Sequence, residues 1–292
     1  MRVLDQVLAT AAQTDGRRLA EWEARLPETV LRDHPRLTFE MAHMRLYMGD
    51  RYSPATTALV EERLRLAEAN WAAANDQAGL GRVTLLRASL AFWQGDPSRA
   101  VALAQQGLPL LAPDDLNWRG IALSYIGGDA CLAGRPLEAL PILLEGATLC
   151  DIAGNRYAQY GVLDFIGTVA LQQAEPLQAE HHFRRLLSLA EEDERYLDDQ
   201  AHAWLGLAQV HLERNELALA EEELARAQAI AERLSETRID LQATLLSADL
   251  AQAQGRSALA RSRLDALAAR TRWPNDLRAV RHAQALLAWR MD

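Results

Sequence analysis

Histidine pairs are the first candidates for chemistry in this sequence, because imidazole is a common metal ligand. His181 and His182 are adjacent, and His202 and His211 lie nine residues apart. On a helix, adjacent side chains point about 100° apart, and positions nine apart do not share one face closely. A metal site needs several ligands that converge on one point. We therefore expect no metal site and interpret these histidines as exposed or capping residues.

Two acidic runs are candidates for binding a cation or a basic partner. The first is Glu191-Glu192-Asp193-Glu194, followed by Asp198-Asp199, and the second is Glu221-Glu222-Glu223. The first run spans an expected loop, where such charges are usually solvated. The second lies in the first turn of an expected helix, where negative charge complements the helix dipole. We therefore expect the first run to be a solvated linker and the second to complement the dipole of its helix.

Catalysis has no supporting pattern. Ser53, Ser124 and Ser257 lack the glycine-flanked setting of a nucleophile elbow, and neither Cys131 nor Cys150 has a histidine at nucleophile spacing. All 31 basic residues are arginine, which excludes a phosphate-loop lysine and a Schiff-base lysine. We expect a chain that is not an enzyme and that carries no cofactor.

The charge balance limits the partners. The 292 residues include 31 basic and 40 acidic side chains, a net charge of −9. A nucleic-acid surface needs a basic stripe that displaces counterions from phosphates, so we expect no direct nucleic-acid contact. We find no signal peptide and no uninterrupted run of eighteen apolar residues, and we therefore expect no membrane span and a cytoplasmic location.

A repeated helical hairpin is the main signal of organisation. Short polar or glycine turns occur at Gly49-Asp50 and then, about every 40 residues, at Gly95-Asp96, Gly134-Arg135, Ala174-Glu175, Asn215-Glu216 and Gly255-Arg256. About fifteen residues with helical apolar periodicity flank each turn, and strand signals are absent. Proline at the start of several second helices suits their first turn. The pattern predicts an all-α protein built from stacked hairpins.

The small residues sharpen this prediction. Each hairpin has an alanine in its second helix and an alanine or glycine in its first, because small side chains are needed where two helices cross closely. The second-helix alanines are Ala100, Ala139, Ala179, Ala220 and Ala260, and the first-helix residues are Ala88, Gly127, Gly167, Ala208 and Ala248. With Trp204, Leu207 and Leu224, this pattern resembles the tetratricopeptide repeat. The resemblance implies a right-handed superhelical solenoid that continues as one domain over residues 36–292, with residues 1–35 as an irregular N-terminal hairpin of the same stack.

A narrower resemblance rests on short motifs along the chain. They are the segment from Glu21 to Pro27, His34-Pro35-Arg36-Leu37, Trp118-Arg119-Gly120 and Ala153-Gly154-Asn155-Arg156. Together they resemble the MalT-like tetratricopeptide region of LuxR-type, ATP-dependent bacterial transcriptional regulators. In that family the repeat region lies between a nucleotide-binding module and a helix-turn-helix. The resemblance therefore implies a sensor and interaction segment, with nucleotide and DNA chemistry outside this sequence.

The inner wall of such a stack is lined by the first helices, where residues three and four apart share one face. In the repeat register this face comprises Arg82, Ser89 and Trp93 in one hairpin, and Ser124 and Tyr125 in the next. The following hairpins contribute Asp164, Phe165, Thr168 and Gln172, then His202, Gln209 and Glu213, then Asp249 and Gln252. Trp93, Tyr125 and Phe165 are equally compatible with packing between repeats. The mixture of aromatic and polar groups suits a sugar-like or peptide ligand.

Two functional hypotheses remain open. In the first, a small effector or a regulatory protein binds the inner face and shifts the stack between two arrangements, which requires different affinities for the two. In the second, the stack is a scaffold that holds another protein without sensing a small molecule. Apolar residues near the C-terminus, among them Ala288 and Trp289, also make self-association possible.

Overall fold

The computed structural model describes residues 25–48, 53–192, 196–234, 237–271 and 274–291. These residues form helices joined by short turns, with one 3₁₀ turn at Leu108–Leu110 and no strand within the described ranges. We number the helices α1 Glu28–Asp33, α2 Pro35–Met48, α3 Pro54–Ala73, α4 Gln77–Trp93, α5 Pro97–Gly107, α6 Leu116–Leu132, α7 Pro136–Ala153, α8 Arg156–Gln172, α9 Pro176–Ala190, α10 Leu197–Glu213, α11 Leu217–Leu234, α12 Thr237–Ala253, α13 Ser257–Arg270 and α14 Pro274–Met291.

The helices pair as antiparallel hairpins in which an even-numbered first helix packs on the odd-numbered second helix that follows it. This pairing occurs in α2/α3, α4/α5, α8/α9, α10/α11 and α12/α13. Successive first helices are also in contact. These contacts join α2 to α4, α4 to α6, α8 to α10, and α10 to α12. The predicted all-α architecture of helical hairpins is therefore confirmed.

The chain forms two compact units. Unit 1 comprises Met1–Ala133 and Glu145–Asn155, and unit 2 comprises Gly134–Leu144 and Arg156–Asp292. Most of the predicted N-terminal hairpin, the turn at Gly49-Asp50, and Asp193 and Glu194 lie outside the described residues. The single continuous domain over residues 36–292 stays a prediction.

The turns inside the hairpins share one backbone geometry. Gly95, Gly134, Ala174, Asn215 and Gly255 all have positive φ, as the sequence pattern requires. At Ala174, with φ +58°, the amide of Ala174 donates to the Leu171 carbonyl and that of Glu175 donates to the Ala170 carbonyl. These two bonds form a Schellman motif, which satisfies the last carbonyls of the first helix. Glycine adopts this conformation without steric cost, whereas Ala174 does not.

Proline begins several second helices, as predicted. Pro97, Pro136 and Pro176 are the first residues of α5, α7 and α9. At α5 the Asp96 carboxylate also accepts a hydrogen bond from the Arg99 amide at 3.0 Å. Proline loses nothing at this position, because the first amides of a helix have no partner within the helix. The chain therefore turns sharply from each first helix into its second.

A phenylalanine fixes the spacing of two first helices in unit 2. Phe183 on α9 is fully buried, and its ring lies between Gly167 on α8 and Gly206 on α10. A Cβ atom added to Gly206 would lie 2.3 Å from the ring, and one added to Gly167 would lie 2.7 Å from it. Only glycine leaves room for the ring at these two positions. We call this arrangement the Phe183 wedge.

Unit 1 contains similar close contacts. The Trp71 ring on α3 packs on Gly79 of α4, where an added Cβ would lie 2.3 Å from the ring. Gly120 on α6 faces Cys150 on α7, and a Cβ there would lie 2.6 Å from the Cys150 sulfur. Helices approach closely where one of them lacks a side chain, which is the reason the sequence pattern places small residues at crossings.

The last helix completes the stack of unit 2. Leu287 on α14 is buried against Ala248, Ala251 and Leu264, so α14 covers the end of the α12/α13 hairpin. Trp289 on the same helix is 75% exposed. The predicted capping role of this helix agrees with these contacts, and self-association through its exposed side stays a prediction.

Candidate functional site

In unit 2, each first helix keeps one stripe of partly or fully exposed side chains, spaced three or four residues apart. We call the three stripes together the unit 2 face. Its residues are Tyr157, Asp164, Phe165, Thr168 and Gln172 on α8, Asp198, His202, Gln209 and Glu213 on α10, and Arg238, Gln242, Asp249 and Gln252 on α12. All nine unit 2 residues predicted from the repeat register lie on this face. Whether they bind a ligand stays a prediction.

Asp164 is a half-buried carboxyl group on the unit 2 face. Burial raises its pKa, although the charges of His202 on α10 and Arg238 on α12 oppose the shift. The three residues come from three successive first helices, so their interaction places the stripes on a common side. The Thr168 hydroxyl donates to the backbone carbonyl of Asp164 at 3.0 Å and is therefore satisfied within its own helix.

Two further carboxylates on the unit 2 face have raised pKa values. Burial raises the pKa of Glu213, and a hydrogen bond of 3.4 Å from Gln209 opposes the shift only in part. Burial also raises the pKa of Asp249, whose Oδ1 lies 3.8 Å from Nη1 of Arg290. One turn along α12, the buried Oε1 of Gln252 has no hydrogen-bond partner among the described residues. The face thus presents carboxylate and amide oxygens that accept few hydrogen bonds from the described residues.

Charge in unit 2 is divided between the two kinds of helix. The first helices α8, α10 and α12 together contain six acidic residues and two arginines, whereas the second helices α9, α11 and α13 contain six acidic residues and seven arginines. Second-helix carboxylates have arginine partners, as in Arg226–Glu222 and Arg184–Glu180. The first helices of unit 2 therefore carry an excess of acidic over basic residues, although Asp240 and Asp249 lie near Arg270 and Arg290.

The corresponding residues of unit 1 are largely engaged with one another. Nε of Arg82 donates to Asp115 at 2.6 Å. Burial alone would raise the pKa of Glu40 on α2, but a hydrogen bond from His43 and the charges of Arg82 and Arg36 hold it below its usual range. These charges therefore compensate one another.

Hydroxyl groups connect the three first helices of unit 1. The Tyr125 hydroxyl on α6 donates to the Ser89 hydroxyl on α4 at 3.0 Å, and the Tyr47 hydroxyl on α2 lies 3.1 Å from the same atom. Ser89 is fully buried, and burial raises the pKa of Tyr125 well above its usual value. Ser124 donates to the Ile121 carbonyl of its own helix. The predicted contacts Ser89, Ser124 and Tyr125 thus already have hydrogen-bond partners within the fold, and Arg82 is paired with Asp115.

A buried histidine–glutamate pair was missed by sequence reasoning. Nδ1 of His211 on α10 lies 2.6 Å from Glu223 on α11, and both residues are buried. Two expectations are therefore wrong. Glu223 does not lie in the first turn of its helix, because α11 begins at Leu217, and His211 is neither exposed nor a cap, because it packs against Glu223 where α10 meets α11. The repeat register carried the signal: the equivalent positions of the first long hairpin are Ala91 and Leu103, which pack in one apolar cluster.

Features for metal binding and for membrane spanning are absent from the described residues. Within the described ranges, no three His, Cys, Asp or Glu side chains are placed to hold a metal ion. The rings of His181 and His182 are inclined at 76°, and burial lowers the pKa of His182. None of the helices, over the residues described, is both long enough and apolar enough to cross a membrane.

The repeat geometry agrees with a known family of sequences. Residues 81–292 match the model of the MalT-like tetratricopeptide region. The chain belongs to this family. No curated protein matches the sequence. The part of the chain from Gly81 onward includes all residues that the repeat register placed on the inner face.

Solved structures share the fold of this MalT-like chain at low identity. A Rap protein complexed with competence and sporulation factor has a TM-score of 0.57 and 15% identity, over 94% of this chain and 78% of that one. Aspartyl phosphate phosphatase F from Bacillus subtilis has a TM-score of 0.53 and 11% identity, over 88% and 71%. PilF of Pseudomonas aeruginosa has a TM-score of 0.51 and 18% identity, over 86% and 98%. These similarities support the tetratricopeptide-like fold.

Proposed function

We propose that this MalT-like chain is a non-catalytic binding segment that holds a peptide or protein segment of a partner on its first-helix faces. The observation that carries the proposal is the unit 2 face, where polar and aromatic side chains of three adjacent first helices are partly or fully exposed. Helix axes in contact are about 8–10 Å apart, so the three helices span about 20 Å. A surface of this length suits an extended segment, which makes contacts to several helices in turn.

The MalT-like family membership supports a regulatory role for this binding. We infer that the segment senses its partner for a LuxR-type transcriptional regulator, whose nucleotide-binding and DNA-binding modules are encoded outside this sequence. The partner must bind one arrangement of the stack more tightly than another, because equal affinity shifts no equilibrium. The native reading frame tests this context, with a phosphate-binding loop expected upstream and a helix-turn-helix downstream. Without both, the stand-alone scaffold is the better interpretation.

Selection of phage-displayed random peptides on the full chain tests the binding proposal. We expect selected peptides to lose at least about tenfold in affinity when Gln209→Trp fills the centre of the unit 2 face. Gln178→Trp on α9 is the matched control, because Gln178 is an exposed glutamine on a second helix. If both variants bind the selected peptides as tightly as the unmodified chain, this face is not the binding site.

The sugar-like effector is a separate version of the same proposal. Half-buried aromatic rings such as Trp93 and Phe165 favour it, since such rings stack on the apolar faces of sugars. A thermal-shift screen with oligosaccharides and small metabolites tests it, because a ligand that binds the folded state raises the melting temperature. Stabilisation by one of these compounds, with no peptide selected, would favour the small effector over the peptide.

A further inference from the structure

Helix α7 is apolar on two opposite faces. One face is fully buried in the fold and includes Ala139, Leu143 and Cys150. The other is exposed, and its residues are spaced by four, three, four and four positions, which keeps their side chains on one side of the helix. We call this face the α7 stripe, and its residues are Leu137, Pro141, Leu144, Thr148 and Ile152. All of them belong to one helix, so their common orientation depends on the geometry of α7 alone.

The α7 stripe leaves large apolar side chains in contact with water. Leu137 is 83% exposed, Ile152 is 65% exposed and Leu144 is 48% exposed. A surface helix of a globular protein normally has charged or polar residues opposite its buried face, whereas a helix that is apolar all round is buried on all sides. The composition of α7 is therefore typical of a helix that is covered on both faces, and the described residues cover only one of them.

The second helix of the following hairpin, α9, has a different outer face. Forty residues after the centre of the α7 stripe, α9 carries His181, Arg184 and Ser188 on its exposed side. This helix packs on both α8 and α10 while that polar side remains in water. The packing of hairpins thus does not require apolar residues on the outer face of a second helix. The leucines and the isoleucine of the α7 stripe need another explanation.

The edges of the α7 stripe carry negative charge on both sides. At 100° per residue, Glu138 and Glu145 lie along one edge and Asp151 lies along the other, and α7 itself contains no basic residue. Arg135, which precedes the helix, pairs with Glu138 at 2.7 Å. A second copy of α7 would place acidic edges against acidic edges, which is unfavourable in either direction of pairing. A helix with basic residues beside its apolar side complements these edges, as charged residues at the e and g positions do in coiled coils.

Pro141 adds a hydrogen-bond acceptor to the α7 stripe. Proline has no amide hydrogen, so Pro141 cannot donate to the Leu137 carbonyl one turn earlier, as other residues inside a helix do. The side chain of a lysine or arginine on an incoming helix can donate to this carbonyl. The same basic residues would therefore satisfy both the edges and the centre of the stripe.

We propose that the α7 stripe docks an amphipathic helix of a partner protein, with apolar residues along its contacting side and Lys or Arg beside them. The stripe has the alternating spacing of four and three residues that a helix–helix contact uses. Its helix has 18 residues and is about 27 Å long, which matches between two and three heptads of the partner. This surface lies on a second helix and shares no residue with the unit 2 face, so the inference goes beyond the proposed function.

Four labelled 21-residue peptides test the inference by fluorescence anisotropy with the full chain. Three of them consist of three heptads with leucine at positions a and d, and they carry lysine, glutamine or glutamate at positions e and g. The fourth has the composition of the lysine peptide, but its leucines are distributed around the helix. We expect the lysine peptide to bind at least about tenfold more tightly than the glutamate peptide and the peptide with distributed leucines, and the glutamine peptide to lie between.

Two double variants separate the α7 stripe from exposed leucines elsewhere in the chain. The stripe variant is Leu137→Gln with Leu144→Gln, and the control is Leu177→Gln with Leu219→Gln. The control leucines lie on α9 and α11 and are 72% and 47% exposed, which matches 83% and 48% in the stripe. Because the buried area of two leucines is lost from the complex, the stripe variant should bind the lysine peptide at least about tenfold more weakly. The control should stay within about twofold of the unmodified chain, and circular dichroism should show equal helix content in both variants.

The other possible occupants of the α7 stripe give different results. A dimer in sedimentation velocity that the stripe variant abolishes would identify a second copy as the occupant and overturn the inference. Binding to phosphatidylcholine vesicles that the stripe variant abolishes would identify a lipid surface and also overturn it. The inference is equally wrong if none of the four peptides binds, or if both double variants weaken the lysine peptide equally. In each of these cases the proposed function stands, because peptides selected on the unit 2 face are tested by Gln209→Trp and not by the stripe variant.

Discussion

The Phe183 wedge predicts a large difference between two glycine-to-alanine substitutions in similar helices. In Gly206→Ala the new Cβ would lie 2.3 Å from the Phe183 ring, whereas carbon atoms in contact are usually about 3.5–4.0 Å apart. The ring would have to retreat by more than about 1 Å. On its other side Gly167 leaves little space, since a Cβ there would already be 2.7 Å away.

The expected change in the free energy of unfolding of Gly206→Ala follows from two opposing contributions. Alanine in a helix is about 1 kcal/mol more favourable than glycine. Overpacking a core costs about 1–3 kcal/mol, and the closeness of this contact places it near 3 kcal/mol. We therefore expect Gly206→Ala to lower the free energy of unfolding by about 2 kcal/mol. Gly161→Ala on α8 is the matched control: no atom lies within 4 Å of its added Cβ, and it should raise the free energy of unfolding by about 1 kcal/mol.

Urea unfolding followed by tryptophan fluorescence measures both values from the midpoints at a common slope. A second substitution provides a rescue, because Phe183→Leu shortens the side chain that clashes. We expect the double variant to be at least about 1 kcal/mol more stable than the sum of the two single effects. Equal stability of Gly206→Ala and Gly161→Ala would refute the wedge.

Three further substitutions test other features by urea unfolding. Ala174→Gly should raise the free energy of unfolding by about 1 kcal/mol, because it removes the cost of a left-handed alanine at φ +58°; an unchanged midpoint would contradict this. Glu223→Leu should lower it by about 2 kcal/mol, because Nδ1 of His211 loses its hydrogen-bond partner and only Glu216, 3.7 Å from Nε2, remains near the ring. Adding His211→Ala should restore the stability, as in the apolar equivalent hairpin. If the single variant is as stable as the double, the pair has no such role. The free energy of unfolding of Asp164→Asn should match that of the unmodified chain near pH 3.5 and exceed it at pH 7. Burial raises the pKa of Asp164, so the stabilisation of its protonated form is lost as pH rises above about 4. A constant difference across pH would count against this.

Features set by local backbone chemistry were predictable from the sequence. The left-handed turn residues Gly95, Asn215 and Gly255 were located correctly, because glycine and asparagine are the residues that tolerate positive φ. The starts of α5 and α9 at proline followed for the same reason. In these cases a few adjacent residues determine the structure, so one sequence contains the whole signal.

Contacts between hairpins were not predictable in the same way. The small residue Gly167 was expected at a helix crossing, but nothing in its own hairpin indicates that Phe183 also requires Gly206 of the next one. His211 and Glu223 were each interpreted alone, one as an irregular repeat position and the other as a helix-start charge. Their pairing depends on the rotation of two helices about their axes, which a pattern of apolar residues defines only coarsely.

The candidate site was predicted as a face rather than as a set of contacts. Helical periodicity is enough to place Asp164, Thr168 and Gln172 on one stripe. The sequence does not indicate that Ser89 is covered by Tyr47 and Tyr125, which lie 42 and 36 residues away along the chain. Which polar groups remain available to a ligand is decided by such neighbours on adjacent helices.

The Phe183 wedge also limits how this array could be lengthened or shortened. Repeat proteins are often engineered by removing or duplicating one hairpin, on the assumption that every junction is equivalent. Here the α8/α9 hairpin carries a ring that fits only a following helix with glycine at the position of Gly206. In α12 the residue 40 positions later is Leu246, so removal of α10/α11 would press Phe183 against a leucine side chain. The order of these two hairpins therefore depends on one side chain, Phe183, and on the glycine against which it packs.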